Sequence, residues 1–370
     1  MKNNEKGIRN NYFNLALCAF SLVFLIVYLI RVDGVHDVAL VISQARIGWL
    51  LTGIGCIVLY WLLDAWVLHL SFTPVLPAQH FRSTMRLTMI GQYFNNITPF
   101  ASGGQPAQAY FLVKRGAPLG ETMTALLTKF IVYQITLTIY CLVTLILRFQ
   151  FFMSEVNALM IAVIVGFVAH TAVTMMLVGV AFFRTGTMKT AHFIIDLLVK
   201  MKFVKNQEAR RDSIDRELDN FHTQFQYMGR HKLLLIKMSL ITVVQLTVYF
   251  MIGNVIYLSF RLSGADTITL LASQAFVLMI ATYMPTPGAL GAAEGSFFVF
   301  FSLFFPNNMI SLAVVLWRLI TFYLPTVVGL VFTLLEKRND PALGPETIRK
   351  PVTDIPPAEP QLAEERLEVS

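Results

Sequence analysis

The sequence predicts an all-α, polytopic membrane protein with about six full spans and two broken or re-entrant helical hairpins, arranged as an inverted repeat. Three observations predict it. Hydrophobic residues fill 56% of the 370 positions and charged residues only 14%, against about 45–50% and 25% in a soluble domain, and mean hydropathy is +0.63. The apolar residues fall in runs long enough to cross a hydrocarbon core, which takes about 20 residues as a helix. Two further runs are broken near their middle by proline and glycine.

Six runs are unbroken: Phe13 to Ile30, Ile47 to Leu70, Thr122 to Leu147, Val156 to Phe183, Leu233 to Phe260, and Met309 to Leu335. The first follows Lys2, Lys6 and Arg9 as a secretory signal would. It leaves through Arg31-Val32-Asp33 without small residues at a cleavage site, so it is read as a retained span. The broken runs are Arg82 to Val113, interrupted at Thr98-Pro99 and Ser102-Gly103-Gly104, and Ile268 to Phe305, interrupted at Pro285-Thr286-Pro287-Gly288. Proline lacks the N–H and glycine loosens a helix, so each reads as two half-helices around an irregular turn. The plainer alternative has one or both regions spanning fully, giving eight to ten ordinary helices.

Loop charge sets the orientation. Ten Lys or Arg lie between Phe183 and Leu233, which the positive-inside rule places in the cytoplasm. Counting spans outward puts both termini inside, in the cell membrane, with the first broken region entering from the cytoplasm and the second from outside. Opposed broken segments at corresponding places are what an inverted repeat produces. The domain reading is a membrane domain, 1–335, with halves at about 13–183 and 233–335, a basic linker at 184–232, and a disordered tail at 336–370. In the linker, Ile214, Leu218, Phe221 and Phe225, and Phe193, Ile194, Leu197 and Leu198, form apolar faces suited to an anionic leaflet; a solvated connector fits equally well. The tail holds eight acidic and five basic residues, leaving 24 basic against 14 acidic in the rest. The excess reports orientation and lipid contact, and nucleic acid is not an expected partner.

Several chemistries are disfavoured. Cys18, Cys56 and Cys141 lie inside apolar runs with no CxxC or paired histidines, so no metal or cofactor is expected. Neither a GxxxxGK[ST] loop nor a GxSxG elbow occurs, so neither a nucleotide motor nor an enzyme is expected.

The candidate site lies in the broken regions. In the first, Thr98 and Pro99 break the helix, Ser102 or Gly103 can cap the next one beside Gly104, and Pro106 fits its first turn. A half-helix end at membrane depth would offer N–H groups and a positive dipole to an anion such as a phosphate headgroup. Pro287, Gly288, Gly291 and Glu294 repeat the device; the same prolines and glycines would also serve plain kinking and close packing. Ionisable groups at membrane depth are costly and by default functional. Asp64, Lys129, Glu294 and Arg318 are of this kind. Lys129 heads a helical stripe with Tyr133, Thr136, Tyr140 and Thr144, a polar face turned inward. Glu294 is expected either to neutralise Lys129 or Arg318, or to act as counter-charge or proton coupler while those two hold a lipid phosphate. Asp64, between Trp61 and Trp66, has no evident partner.

Three segments, FNNITPFASGGQPAQAYFLVKRG, MPTPGALGAAEGSFF and LWRLITFYLP, resemble the signatures of the flippase-like membrane domain of lysyl-phosphatidylglycerol synthases. The resemblance runs from Phe13 to about Leu335. It implies a phospholipid transporter, without the aminoacyl transfer that a separate large domain performs in the synthases. Many members have Glu and Arg where this chain has Gln105 and Gln108, so the site keeps its shape and loses a charge pair. The expected function is movement of an anionic or modified phospholipid between leaflets; net movement needs an ion gradient or a partner, and without one the protein only equilibrates leaflets. The alternative is a lipid-binding scaffold serving a separate lipid-modifying enzyme.

Overall fold

The computed structural model describes residues 45–77, 79–155, 157–200, 207–282 and 284–336. The expected span Phe13 to Ile30 and the tail beyond Glu336 lie outside them. The described residues are helical, with no strand. In order come α1 (Ile47–Phe72), α2 (Phe81–Ile97), α3 (Gly104–Lys114), α4 (Leu119–Glu155), α5 (Asn157–Phe182), α6 (Arg184–Lys200), α7 (Gln207–Arg230), α8 (Lys232–Ser259), α9 (Thr267–Thr282), α10 (Ala292–Phe301), α11 (Asn307–Arg318) and α12 (Leu324–Leu334). A π-turn, Leu319–Tyr323, joins α11 to α12 in one rod. That rod, α1, α4 and α8 are each long and apolar enough to cross a membrane. The chain is therefore an all-α polytopic membrane protein.

Both broken regions are hairpins. Thr98 and Thr286 precede prolines, whose rings disfavour helix at the residue before them, and both are extended (φ −110°, ψ 147° and φ −102°, ψ 143°). The turns that follow are two copies of one form. In Thr98-Pro99-Phe100-Ala101 and Thr286-Pro287-Gly288-Ala289 the third residue is left-handed, φ 56°, ψ 18° and φ 61°, ψ 16°. So is the fourth, at φ 49° and 54°.

After the first turn, α3 runs back along α2. Gly104 N donates to Asn95 Oδ1 (2.8 Å), Gln108 Nε2 to Leu87 O (3.0 Å), and Arg115 Nη1 to Ser83 Oγ (2.5 Å). Each partner recedes along α2 as α3 advances, which defines an antiparallel pair. Gly91 permits the approach, because a Cβ there would lie 2.5 Å from Gln108 Nε2. After the second turn, α10 returns along α9, with Phe276 and Phe300 centroids 5.8 Å apart.

The two hairpins enter the bundle from opposite ends. The base of the first lies at the end of α1, the end of α7 and the start of α8, where Leu68, Phe72, Leu112 and Met228 share one core with Leu234 packed against it. Arg115 there pairs with Glu336, just past α12. The base of the second lies where Arg46 N donates to Ser259 O (2.9 Å), Tyr257 packs on Phe305, and Arg148 Nη2 meets Asp266 Oδ2 at 2.5 Å. Their tips meet inside, where Phe100 N–H donates to Met284 O (3.2 Å).

The described residues of the linker form α6 and α7, which pair through Arg184 with Asp219 (2.6 Å) and His192 with Asp215 (2.7 Å). Its expected lipid-facing pattern is corrected at Phe225, which is buried with Ile131 of α4. Part of that face packs on the bundle, where burial removes its apolar surface from water. Phe193 on α6 remains exposed.

Candidate functional site

A cavity of about 240 Å³ opens beneath the meeting tips. It is lined by Tyr60 and Asp64 of α1, by Asn95 and Asn96 of α2, by Gln105 and Gln108 of α3, and by Lys129, Tyr133 and Gln134 of α4, with Phe100 at the first tip. A second space of about 130 Å³ shares Asn95, Asn96 and Tyr249 with it and extends to Gly288 and Arg318. The stripe on α4 faces inward as its spacing requires: Lys129 and Tyr133 reach the cavity, Thr136 and Thr144 are buried, and Tyr140 meets Thr247 at 3.2 Å.

Asp64 has a partner, contrary to the sequence reading. Lys129 Nζ lies 2.8 Å from its Oδ1 and donates to its Oδ2 at 2.9 Å, and Gln245 Nε2 donates to Oδ1 at 3.0 Å. The pair joins α1 to α4, with α8 bracing it. A buried charge at membrane depth demands such a partner, but 65 residues separate the two in sequence.

Glu294 pairs with Arg318, one of its two expected partners, at 2.7 Å (Nε to Oε1). Arg318 also donates to Gly288 O (Nη1, 3.2 Å) and approaches Ala289 O (Nη2, 3.5 Å). Its guanidinium lies over Trp317 and Phe322 at 5.1 and 5.2 Å. Arg318 therefore clasps the second tip by its backbone, and each cavity's cation is matched by a carboxylate.

The half-helix ends are occupied by the protein's own oxygens. Gly103 is the N-cap of α3, and its N–H donates to Thr98 Oγ1 at 2.8 Å. Asn95 takes the Gly104 N–H, and Pro106 brings none. Ser102 does not cap; its hydroxyl donates to Pro99 O at 2.9 Å. In the second hairpin, Gly291 N donates to Glu294 Oε2 at 2.7 Å. An external anion thus finds fewer free donors at these ends than the motif alone suggests.

Of the expected residues, Gln105, Gln108, Lys129 and Tyr133 line the main cavity, and Gly288 and Arg318 the second. Thr98, Pro99, Ser102, Gly103, Gly104, Pro287, Gly291 and Glu294 build the tips. Gln108 holds the hairpin through Leu87 O. Sequence reasoning missed Asn95, Asn96 and Gln134. Asn96 Nδ2 donates to Phe322 O (3.3 Å) and Thr326 Oγ1 (2.9 Å), tying α2 to the π-turn rod. Gln134, 3% exposed, faces the cavity. The signal that would have found the tips as a pair is the repeated Thr-Pro-x-Ala. Among the described residues, no three His, Cys, Asp or Glu side chains come together as a metal site requires.

No solved structure matches the chain. A UPF0104 membrane protein of Archaeoglobus fulgidus is 25% identical over 75% of this chain and 84% of its own length. Another, of Methanothermobacter thermautotrophicus, is 26% identical over 67% of this chain and 73% of its own. The family described as the lysylphosphatidylglycerol synthase TM region matches residues 14–329, spanning both hairpins, the linker and nearly all of the π-turn rod, and the chain belongs to that family.

Proposed function

We propose that the protein is a lipid transporter of the cell membrane that lets a polar headgroup cross between leaflets through the cavity at the hairpin tips. One observation carries the reading. Two hairpins from opposite ends of an apolar bundle meet tip to tip over a space lined by amides, phenols and an ion pair. Polar and charged groups at membrane depth are expensive, and by default they mark a substrate path. The matching tips support an inverted repeat, in which rocking one half against the other would expose the cavity alternately. The headgroup would sit among Gln105, Lys129, Tyr133 and Gln134 while the acyl chains remain in lipid. No catalytic role is proposed, both termini are placed in the cytoplasm, and movement beyond leaflet equilibration draws on an ion gradient or a partner.

The scaffold reading is favoured by one feature, the paired helices α6 and α7, a platform where a lipid-modifying enzyme could dock. Reconstitution into vesicles with fluorescent anionic, zwitterionic and glycosylated lipids separates the two. A transporter moves at least one of them several-fold faster than empty vesicles do, and a scaffold moves none.

A further inference from the structure

We propose that an anionic phosphate headgroup enters the cavity together with one proton, which Asp64 takes up as the phosphate replaces it at Lys129. The proposal rests on the transport reading for its site and adds a second ligand, the proton.

Lys129 is the one cation among the residues lining the main cavity, and Asp64 the one carboxylate. The two are in contact at 2.8 Å with Asp64 only 5% exposed. A phosphate reaching Lys129 must therefore compete with a carboxylate already there. Were both anions to stay ionised, one cation would face two negative charges at membrane depth, with no second cation among the described residues that line the cavity. The groups facing Asp64 are Lys129 and Tyr133 from α4, Tyr60 from α1 and Gln245 from α8. Tyr249 of α8 stands behind Tyr60, at a centroid distance of 5.1 Å. The α2 wall contributes Thr88, Gln92, Asn95 and Asn96, and the π-turn Thr321, none of them charged. Arg318 cannot step in, being held by Glu294 and the carbonyls of the second tip.

Protonation resolves the conflict. A proton from water converts the Asp64 carboxylate to the acid. Lys129 keeps its three protons and exchanges a carboxylate oxygen for a phosphate oxygen. The buried charge before and after is the same, one cation with one anion. Gln245 holds Asp64 in place throughout. Glu294 is unsuited to this role because both of its oxygens maintain the second tip. A headgroup without net charge needs no proton, and Gln134 and Gln105 remain to hydrogen-bond it.

The test is calorimetric titration of the full chain in detergent with dihexanoyl phosphatidylglycerol, in two buffers of different ionisation heat. The expected result is close to one proton taken up per lipid bound, with affinity falling about tenfold per pH unit rise. Asp64→Asn should bind with uptake near zero and no pH dependence. Glycerophosphoglycerol, the deacylated headgroup and likewise a monoanionic diester, in a parallel titration distinguishes recognition of the headgroup alone from recognition of the whole lipid; one proton with either supports the proposal. Wild-type binding without proton uptake, uptake that survives Asp64→Asn, or no binding of either phosphate overturns it. Vesicles in which lipid moves without proton uptake would sink this proposal and leave the transport reading standing. One proton per bound lipid without any movement would do the reverse.

Discussion

At the residue scale, the buried charges are spoken for, and their removal has a direction. Arg318→Ala strands Glu294 and frees two tip carbonyls, a loss of about 3–5 kcal/mol for a broken buried pair. The drop in melting temperature in detergent measures it. Glu294→Gln in the same chain should recover part of the loss, whereas simple addition of the two losses would contradict the pairing. The sequence marked Asp64, Lys129, Glu294 and Arg318 as costly, because charge in an apolar run is visible locally. It did not show Asp64 meeting Lys129, since a contact between α1 and α4 depends on how whole helices pack. The amides were hidden for a related reason. Asn95 and Asn96 resemble any polar pair until α3 and the π-turn come to rest against them.

At the scale of elements, the two tips share a backbone and differ in what surrounds it. Phe100 is left-handed and exposed; Phe100→Gly should relieve roughly 1 kcal/mol of strain and be neutral or stabilising in thermal unfolding. Gly288 has Phe322 ring atoms 2.2 and 2.6 Å from where a Cβ would stand, so Gly288→Ala should lower the melting temperature clearly. Equal responses would contradict the packing difference. At the base of the second hairpin, Asp266 links α9 to α4. Its slight burial raises the carboxyl, but the Thr269 hydroxyl and N–H and the Arg148 guanidinium outweigh that and hold it below its ordinary range. Stability from a carboxyl so depressed is present above its unfolded value, about 3.9, and is lost as pH falls through the folded value. Melting between pH 5 and 2 should therefore fall less steeply in Asp266→Asn than in the wild type. The breaks themselves were legible, since proline fixes the conformation of the residue before it. That they are hairpins required the antiparallel contacts from Gly104 to Arg115.

At the scale of the molecule, opposed hairpins make the bundle two-sided. In a chain whose native cysteines are replaced by serine, Lys114→Cys and Ser263→Cys should react with an impermeant thiol reagent from opposite faces of a sealed membrane. Labelling from the same face would contradict the opposed entry. The all-α membrane class followed from composition, and loop charge led to the expectation that the two hairpins enter from opposite ends. The meeting of the tips over a cavity did not, because it depends on contacts nearly 200 residues apart, such as Phe100 with Met284. The proposed role of this cavity is the path of a lipid headgroup. Gln105 lines it from the side of α3, so Gln105→Trp would fill the space while leaving the hairpin clasps in place. The most direct measurement is the rate at which fluorescent lipids cross reconstituted vesicles. The wild type should accelerate crossing several-fold and Gln105→Trp should return it to the empty-vesicle rate; an unchanged rate in a folded Gln105→Trp protein would rule this path out.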